Sequence, residues 1–182
     1  SSPFVGIHAS HLSDEEIKAL GTAEAFVCLC RTTERDLGDG LPQASDLLQS
    51  GARLCVGVDS HACENAFEEV RAVELDERSR LEARHTAAEA PALLDAATRL
   101  GYEACGLDNA WQDDDVHLKA HDPSIAAVDE AYAADAILFG ATPRAVDKVV
   151  IGRRTIVEDG YHVQYEAAFE GYVATLQKLD LV

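Results

Sequence analysis

Short apolar runs alternate with amphipathic stretches through the first sixty residues. Phe4 to Ala9 reads as a strand, and Ser13 followed by Glu16 is a capping box that starts a helix through about Leu20, with Gly21 as its stop. The pattern then repeats. Ala25 to Cys30 is apolar and partly β-branched, which predicts a buried strand, and the Gly-rich loop "LGDGLP" leads into a helix from Gln43 to Ser50, stopped by Gly51. Leu54 to Val58 is a further strand, ending at Asp59. Consecutive strand-helix units whose strands are apolar on both faces predict a parallel sheet with helical crossovers, an α/β architecture.

Beyond Asp59 the spacing turns helical, over Asn65 to about Arg84 and Ala87 to Leu100. Phe67, Val70, Val73 and Leu75 are set among charges, and Pro91 falls in a first turn or at a kink. "GYEACG" reads as a short helical turn. The last third predicts strands at Val116 to Ala120, in "AVDKVVIG" and in "RTIVEDG", with "GRR" as the hairpin turn joining the last two. Ala168, Tyr172, Leu176 and Leu179 recur at helical spacing, so a helix from Tyr165 to Leu179 closes the chain. The change of character between residues 106 and 114 predicts an α/β part over 1–106 and a small β subdomain with a closing helix over 107–182.

Charge narrows the partners. With 15 basic against 33 acidic side chains the formal net charge is −18, and the lysines Lys18, Lys119, Lys148 and Lys178 are scattered. No basic stripe can neutralise phosphates, which argues against nucleic acid and anionic membrane and leaves a small-molecule substrate. An acidic surface of this kind is solvated and self-repelling. The 5 cysteines, Cys28, Cys30, Cys55, Cys63 and Cys105, are odd in number, lie partly in apolar runs and form no Cys-x-x-Cys pair. That fits a reduced interior and a cytoplasmic protein better than a disulfide framework or a thiolate zinc site. No apolar run reaches the length of a membrane span.

In parallel α/β sheets ligands bind outside the carboxyl ends of the strands. The residues there are His8 and His11 after the first strand, Arg31 to Glu34 after the second, and Asp59, Ser60 and His61 after the third. An imidazole and a carboxylate on one rim can act as an acid/base pair, as metal ligands, or as one of each. His8 and Asp59 are the candidates. Each has an ordinary structural alternative: a hydrogen-bonded rim histidine, and an Asx-turn or helix cap. His11 reads as leading into the capped helix. Cys28 and Cys30 read as small buried residues on one strand face. Glu34 and Asp39 sit in what reads as a loop after a strand, a candidate substrate-contact segment with ordinary solvated acids at a Gly-turn as the alternative, and His117 and His121 belong to the β part, where a structural role is expected. Ser60 lacks the Gly-x-Ser-x-Gly elbow of a serine hydrolase.

Taken in order, "IHASHLSDEEI", "VCLCRTTERDLGDGLP" and "LCVGVDSHACENAFEEVR" resemble consecutive strand-end motifs of the amidohydrolase superfamily. The Thr-Thr-Glu and Leu-Gly-Asp-Gly elements resemble its formimidoylglutamate deiminase branch, and "VVIGRRTIVEDGYH" is similar to the hairpin of the family's small β domain. The resemblance implies the C-terminal part of a (β/α)8 TIM-type barrel, about three βα units matching barrel strands six to eight, plus the small β subdomain. It implies that His8 is the histidine after the sixth barrel strand, polarising at the reacting centre. It implies that Asp59 is the aspartate after the eighth, touching one divalent metal (zinc, Zn2+) and taking the proton from water. The reaction implied is deamination at a C=N carbon, giving N-formylglutamate and ammonia from N-formimidoylglutamate. A nucleobase-like substrate, or a half-barrel without catalysis, is the alternative.

The family's His-x-His after the first barrel strand does not occur here, and Arg31 stands where the family has proline. A whole barrel takes about 250 residues. The expectation is therefore a portion that depends on the N-terminal half of the barrel or on a self-associating copy, with a homo-oligomer as the assembly.

Overall fold

The computed structural model describes residues 4–62 and 64–181, so Cys63 lies outside the described residues. A parallel sheet carries the first half. Strands β1 (Val5–Ile7), β2 (Phe26–Leu29) and β3 (Arg53–Val56) are hydrogen-bonded in that order, with Ile7 level with Cys28 and Cys28 level with Cys55. The crossovers are α1 (Asp14–Thr22), then α2 (Arg31–Leu37) and α3 (Ala44–Ser50), and after β3 come α4 (Ala66–Leu81), α5 (Ala90–Ala96) and α6 (Arg99–Ala104). Three consecutive βα units of a TIM-type barrel are therefore present. A separate antiparallel sheet has the order β4 (Asp115–Leu118), β5 (Val146–Ile151), β6 (Arg154–Glu158) and β7 (Tyr161–His162). Helix α7 (Ala133–Gly140) precedes β5, and α8 (Tyr165–Lys178) ends the described chain.

Local chemistry explains most boundaries. Ser13 and Glu16 form both halves of the capping box at α1, and Gly51 ends α3 at φ +104°, a conformation that suits a residue without Cβ. The β5–β6 turn places Gly152 and Arg153 at positive φ, as a two-residue hairpin demands. Two elements depart from the sequence expectation. Gly21 lies inside α1 and does not stop it. Arg31–Leu37, read as loop, is a helix closed by Gly38 at φ +70°. Helix α8 forms where the spacing predicts it, with Tyr165, Phe169 and Tyr172 exposed.

The sheet face bearing Val27, Leu29 and Leu54 packs on Leu47 of α3, Val70 and Val73 of α4, Leu93 of α5 and Leu138 of α7. Burying each such aliphatic side chain stabilises the fold by about 1.5–3 kcal/mol. Gly21 has a packing role. A Cβ there would lie 2.2 Å from the Ser50 carbonyl oxygen, so the close approach of α1 to α3 requires glycine. Gly21→Ala is expected to cost about 1–3 kcal/mol by overpacking, read as a lower denaturant midpoint; an unchanged midpoint would show that the two helices separate freely.

Helix α4 also contributes buried acids. Glu69, Glu74 and Glu77 are each about 1% exposed. Glu69 accepts the Thr32 N–H at the start of α2 (3.2 Å), and Glu77 accepts the Ser45 N–H at the start of α3 (2.9 Å). Glu74 accepts the His85 and Ala87 N–H groups ahead of α5 (2.8 and 2.9 Å). The opening amides of a helix lack partners within it and attract negative charge. One helix thus anchors the segments around it through carboxylates.

Candidate active site

Because β1 and β3 run parallel, the residues that follow them emerge on the same rim. His8 follows β1 at φ +67° and Asp59 lies just beyond β3 at φ +60°; Ala9 is also left-handed, at φ +55°. Such backbone is disfavoured for residues bearing a Cβ and needs surrounding structure to hold it, at about 1–2 kcal/mol each. Its effect is to turn two polar side chains toward each other. His8 Nε2 lies 3.7 Å from Asp59 Oδ2, with both side chains part-exposed.

The first turn of α2 fixes both. Thr33, fully buried, donates its hydroxyl to the Val58 carbonyl (2.6 Å) and accepts from the Ser60 and His61 amides (3.2 and 3.0 Å). These bonds bracket Asp59. Glu34, with no exposed surface, faces His8 Nδ1 at 3.3 Å, accepts the Cys30 N–H at 2.8 Å and pairs with Arg31 Nη1. Arg31, 1% exposed, reaches on to Asp76 through Nε at 2.7 Å. Arg35 joins Asp76 to Glu68 at 2.7 and 3.0 Å. Charges alternate along this ladder from the rim to the surface of α4. Glu34 is therefore not a solvated loop acid, and Arg31 sits at the first position of α2, sealed in an ion pair.

The other rim candidates separate from this pair. His11 is exposed beside Gly40, while His61 is engaged by the Asp36 carboxylate. His117 is exposed on β4, level with Lys148 in the other sheet. Cys28 and Cys30 do share a strand face with Cys55. Contact with the Cys30 thiol pulls the Cys28 thiol down, but Cys55 and burial outweigh it and hold Cys28 at about 12. Contact with Cys28 and burial push Cys30 up as well. Both are thiols rather than thiolates at neutral pH, and so poor nucleophiles.

His8, Cys30 and Glu34 offer donor atoms within 4.8 Å of one another, a cluster suited to a divalent metal at this rim. Within the cluster the Glu34 carboxylate is already paired with the Arg31 guanidinium. The His8 Nε2 and the part-exposed Asp59 carboxylate, 3.7 Å apart, add donors of the kind zinc takes at the open side of the same rim.

A model of the amidohydrolase family matches residues 3–110. The chain belongs to the amidohydrolase family. A formimidoylglutamate deiminase from Pseudomonas aeruginosa is 32% identical over 184 residues, taking in 95% of this chain and 41% of that protein. Among solved structures, an amidohydrolase from Brucella melitensis superposes with a TM-score of 0.85 at 27% identity, over 98% of this chain and 42% of its own. An adenosine deaminase from Xanthomonas campestris with bound zinc superposes at 0.84 and 20% identity, over 97% of this chain and 42% of its own, a likeness of fold alone. The amidohydrolase chain thus spans about two fifths of the length of these relatives. No helix among its described residues is long and apolar enough to cross a membrane.

Proposed function

We propose that this amidohydrolase chain carries one side of a zinc-dependent deaminase site that hydrolyses the C=N bond of N-formimidoyl-L-glutamate to N-formyl-L-glutamate and ammonia. The observation that carries the reading is the convergence of His8 and Asp59, 3.7 Å apart on one rim, in strained backbone braced from beneath. The likeness to a formimidoylglutamate deiminase supports the substrate.

Hydrolysis replaces the C=N bond of the formimidoyl carbon with C=O: water adds to the carbon, the C–N bond of the tetrahedral adduct breaks, and the two protons lost by the water oxygen, one on attack and one on collapse, end on the nitrogen that leaves as ammonia. Asp59, the unhindered carboxylate, accepts the first. His8 Nε2, beside Asp59, hydrogen-bonds at the reacting centre where charge moves. When bound, a divalent metal supplies water acidified toward neutrality, and Asp59 would hold it. One carboxylate and one imidazole fall short of the three protein ligands usual at catalytic zinc. The remaining ligands come, on this reading, from strands that pair with the open edges of β1 and β3. Ile7 on β1 is 53% exposed, which suits further sheet or a second copy there.

The test is ammonia release with zinc present, from N-formimidoyl-L-glutamate and, in parallel, from guanine and adenosine. It is run with the chain alone and with a polypeptide carrying a His-x-His strand end. Ammonia from the formimidoyl substrate alone, and only in the combined sample, is expected. Turnover by the 182-residue chain unaided, or a preference for a nucleobase or nucleoside, would overturn the respective part of the reading.

A further inference from the structure

Glu34 makes a specific arrangement with His8 that the reading above does not use. Its carboxylate is wholly buried, and each oxygen already faces a donor: Oε1 accepts the Cys30 N–H at 2.8 Å, and Oε2 pairs with Arg31 Nη1. His8 Nδ1 lies 3.3 Å from Oε1. An ionised carboxylate can only accept, so a ring nitrogen against it is satisfied only when that nitrogen carries the hydrogen. The ring is also held at its backbone, where His8 N–H donates to the Cys28 carbonyl at 2.8 Å.

We propose that Glu34 is a positioning residue: it lies within hydrogen-bond reach of His8 Nδ1 at 3.3 Å while Asp59 Oδ2, at 3.7 Å, lies beyond reach of Nε2, so it holds His8 as the Nδ1–H tautomer and leaves the Nε2 lone pair free at the rim. The inference rests on the reading of His8 as a site residue. Arg31 is what makes a buried carboxylate tenable at this point, and Asp76 and Arg35 continue its compensation outward. A buried acid without them would be too costly to keep charged. The segment "RTTE" is therefore a unit in which the arginine supports the glutamate and the glutamate orients the histidine. Partners of this kind, one bond removed from the reacting groups, are worth about 10–100-fold in activity or metal affinity.

Tautomer state can be read directly. Long-range 1H–15N correlation spectra of the labelled chain at alkaline pH, with His8 assigned by its loss in His8→Asn, are expected to show the ring hydrogen on Nδ1. In Glu34→Gln that population is expected to fall in favour of Nε2–H, the form free imidazole side chains prefer. A wild-type His8 that is Nε2–H overturns the proposal, as does a folded Glu34→Gln chain with an unchanged tautomer. If Glu34→Gln does not fold, the wild-type spectrum alone decides. In the active assembly Glu34→Gln is expected to lower kcat by about 10–100-fold while KM changes by less than a factor of about two. Absence of any turnover in the wild type would sink the proposed reaction and leave the tautomer measurement to decide the role of Glu34.

Discussion

Asp59→Asn is expected to abolish ammonia release, lowering kcat by about 10³–10⁴-fold while the fold survives. General-base catalysis by a placed carboxylate is commonly worth about 10²–10⁴, and Asp59 is argued to serve as metal ligand as well, so the upper part of that range applies. Asparagine is the informative substitute. It keeps the volume, and it tolerates the left-handed backbone at φ +60° better than alanine would. The Asp59 side chain is 44% exposed and lies 3.7 Å from the part-exposed His8 ring, so loss of its charge is expected to shift stability by less than about 0.5 kcal/mol. Kinetics and a denaturation curve on the same variant separate the two effects. A large stability loss would place Asp59 among the structural acids instead.

Glu74→Ala is expected to have the largest effect on stability, about 3–5 kcal/mol. It strands the Arg78 guanidinium, now bonded at 2.7 Å, and leaves the His85 and Ala87 amides without acceptors at the entry to α5. Acid should reproduce part of that loss in the wild type. Burial pushes the Glu74 carboxyl up, but Arg78 and the Ala87 and Thr86 amides outweigh it and hold it below the ordinary value of 4.5. Glu77 is held down in the same way by Arg80 and Ser45. A carboxyl lowered by folding stabilises above its unfolded pKa, and that contribution disappears as pH falls through its folded value. Burial raises Glu69 instead, which gives it the opposite sign. The denaturant midpoint of the wild type is therefore expected to drop once pH falls below about 4.5, and that of Glu74→Ala to drop less. Parallel acid profiles would contradict the assignment.

The alternation of apolar runs with capped helices was enough to place the parallel strands, and the rule for strand ends put His8 and Asp59 on one rim. What periodicity could not show is long range in sequence. Glu34 meets His8 across 26 positions, and Thr33 reaches the segment around Asp59 across a similar span. The segment "RTTERDL" has no apolar face, and so reads as loop. It is a helix whose first turn is buried through polar side chains, satisfied by Glu69, Val58, His8 and Asp76. A visible signal was available: Arg31 and Glu34 stand three apart ahead of Gly38, the spacing of an ion pair on a helix with a glycine stop. The positive φ at His8 and Asp59 had no such signal, because neither residue type demands it. Ala168, Tyr172, Leu176 and Leu179 were legible as a helical stripe, yet periodicity does not say what covers a stripe, and Tyr172 and Leu179 are exposed in this chain.

The most direct test of the central claim is a paired assay of ammonia and N-formyl-L-glutamate from N-formimidoyl-L-glutamate. It uses zinc-loaded samples in which the chain, wild type or Asp59→Asn, is combined with the polypeptide carrying the remaining barrel strands. Equal molar yields of the two products from the wild type, and none from Asp59→Asn, are predicted. Turnover by Asp59→Asn at the wild-type rate, or no ammonia from the wild-type assembly with zinc bound, would contradict it.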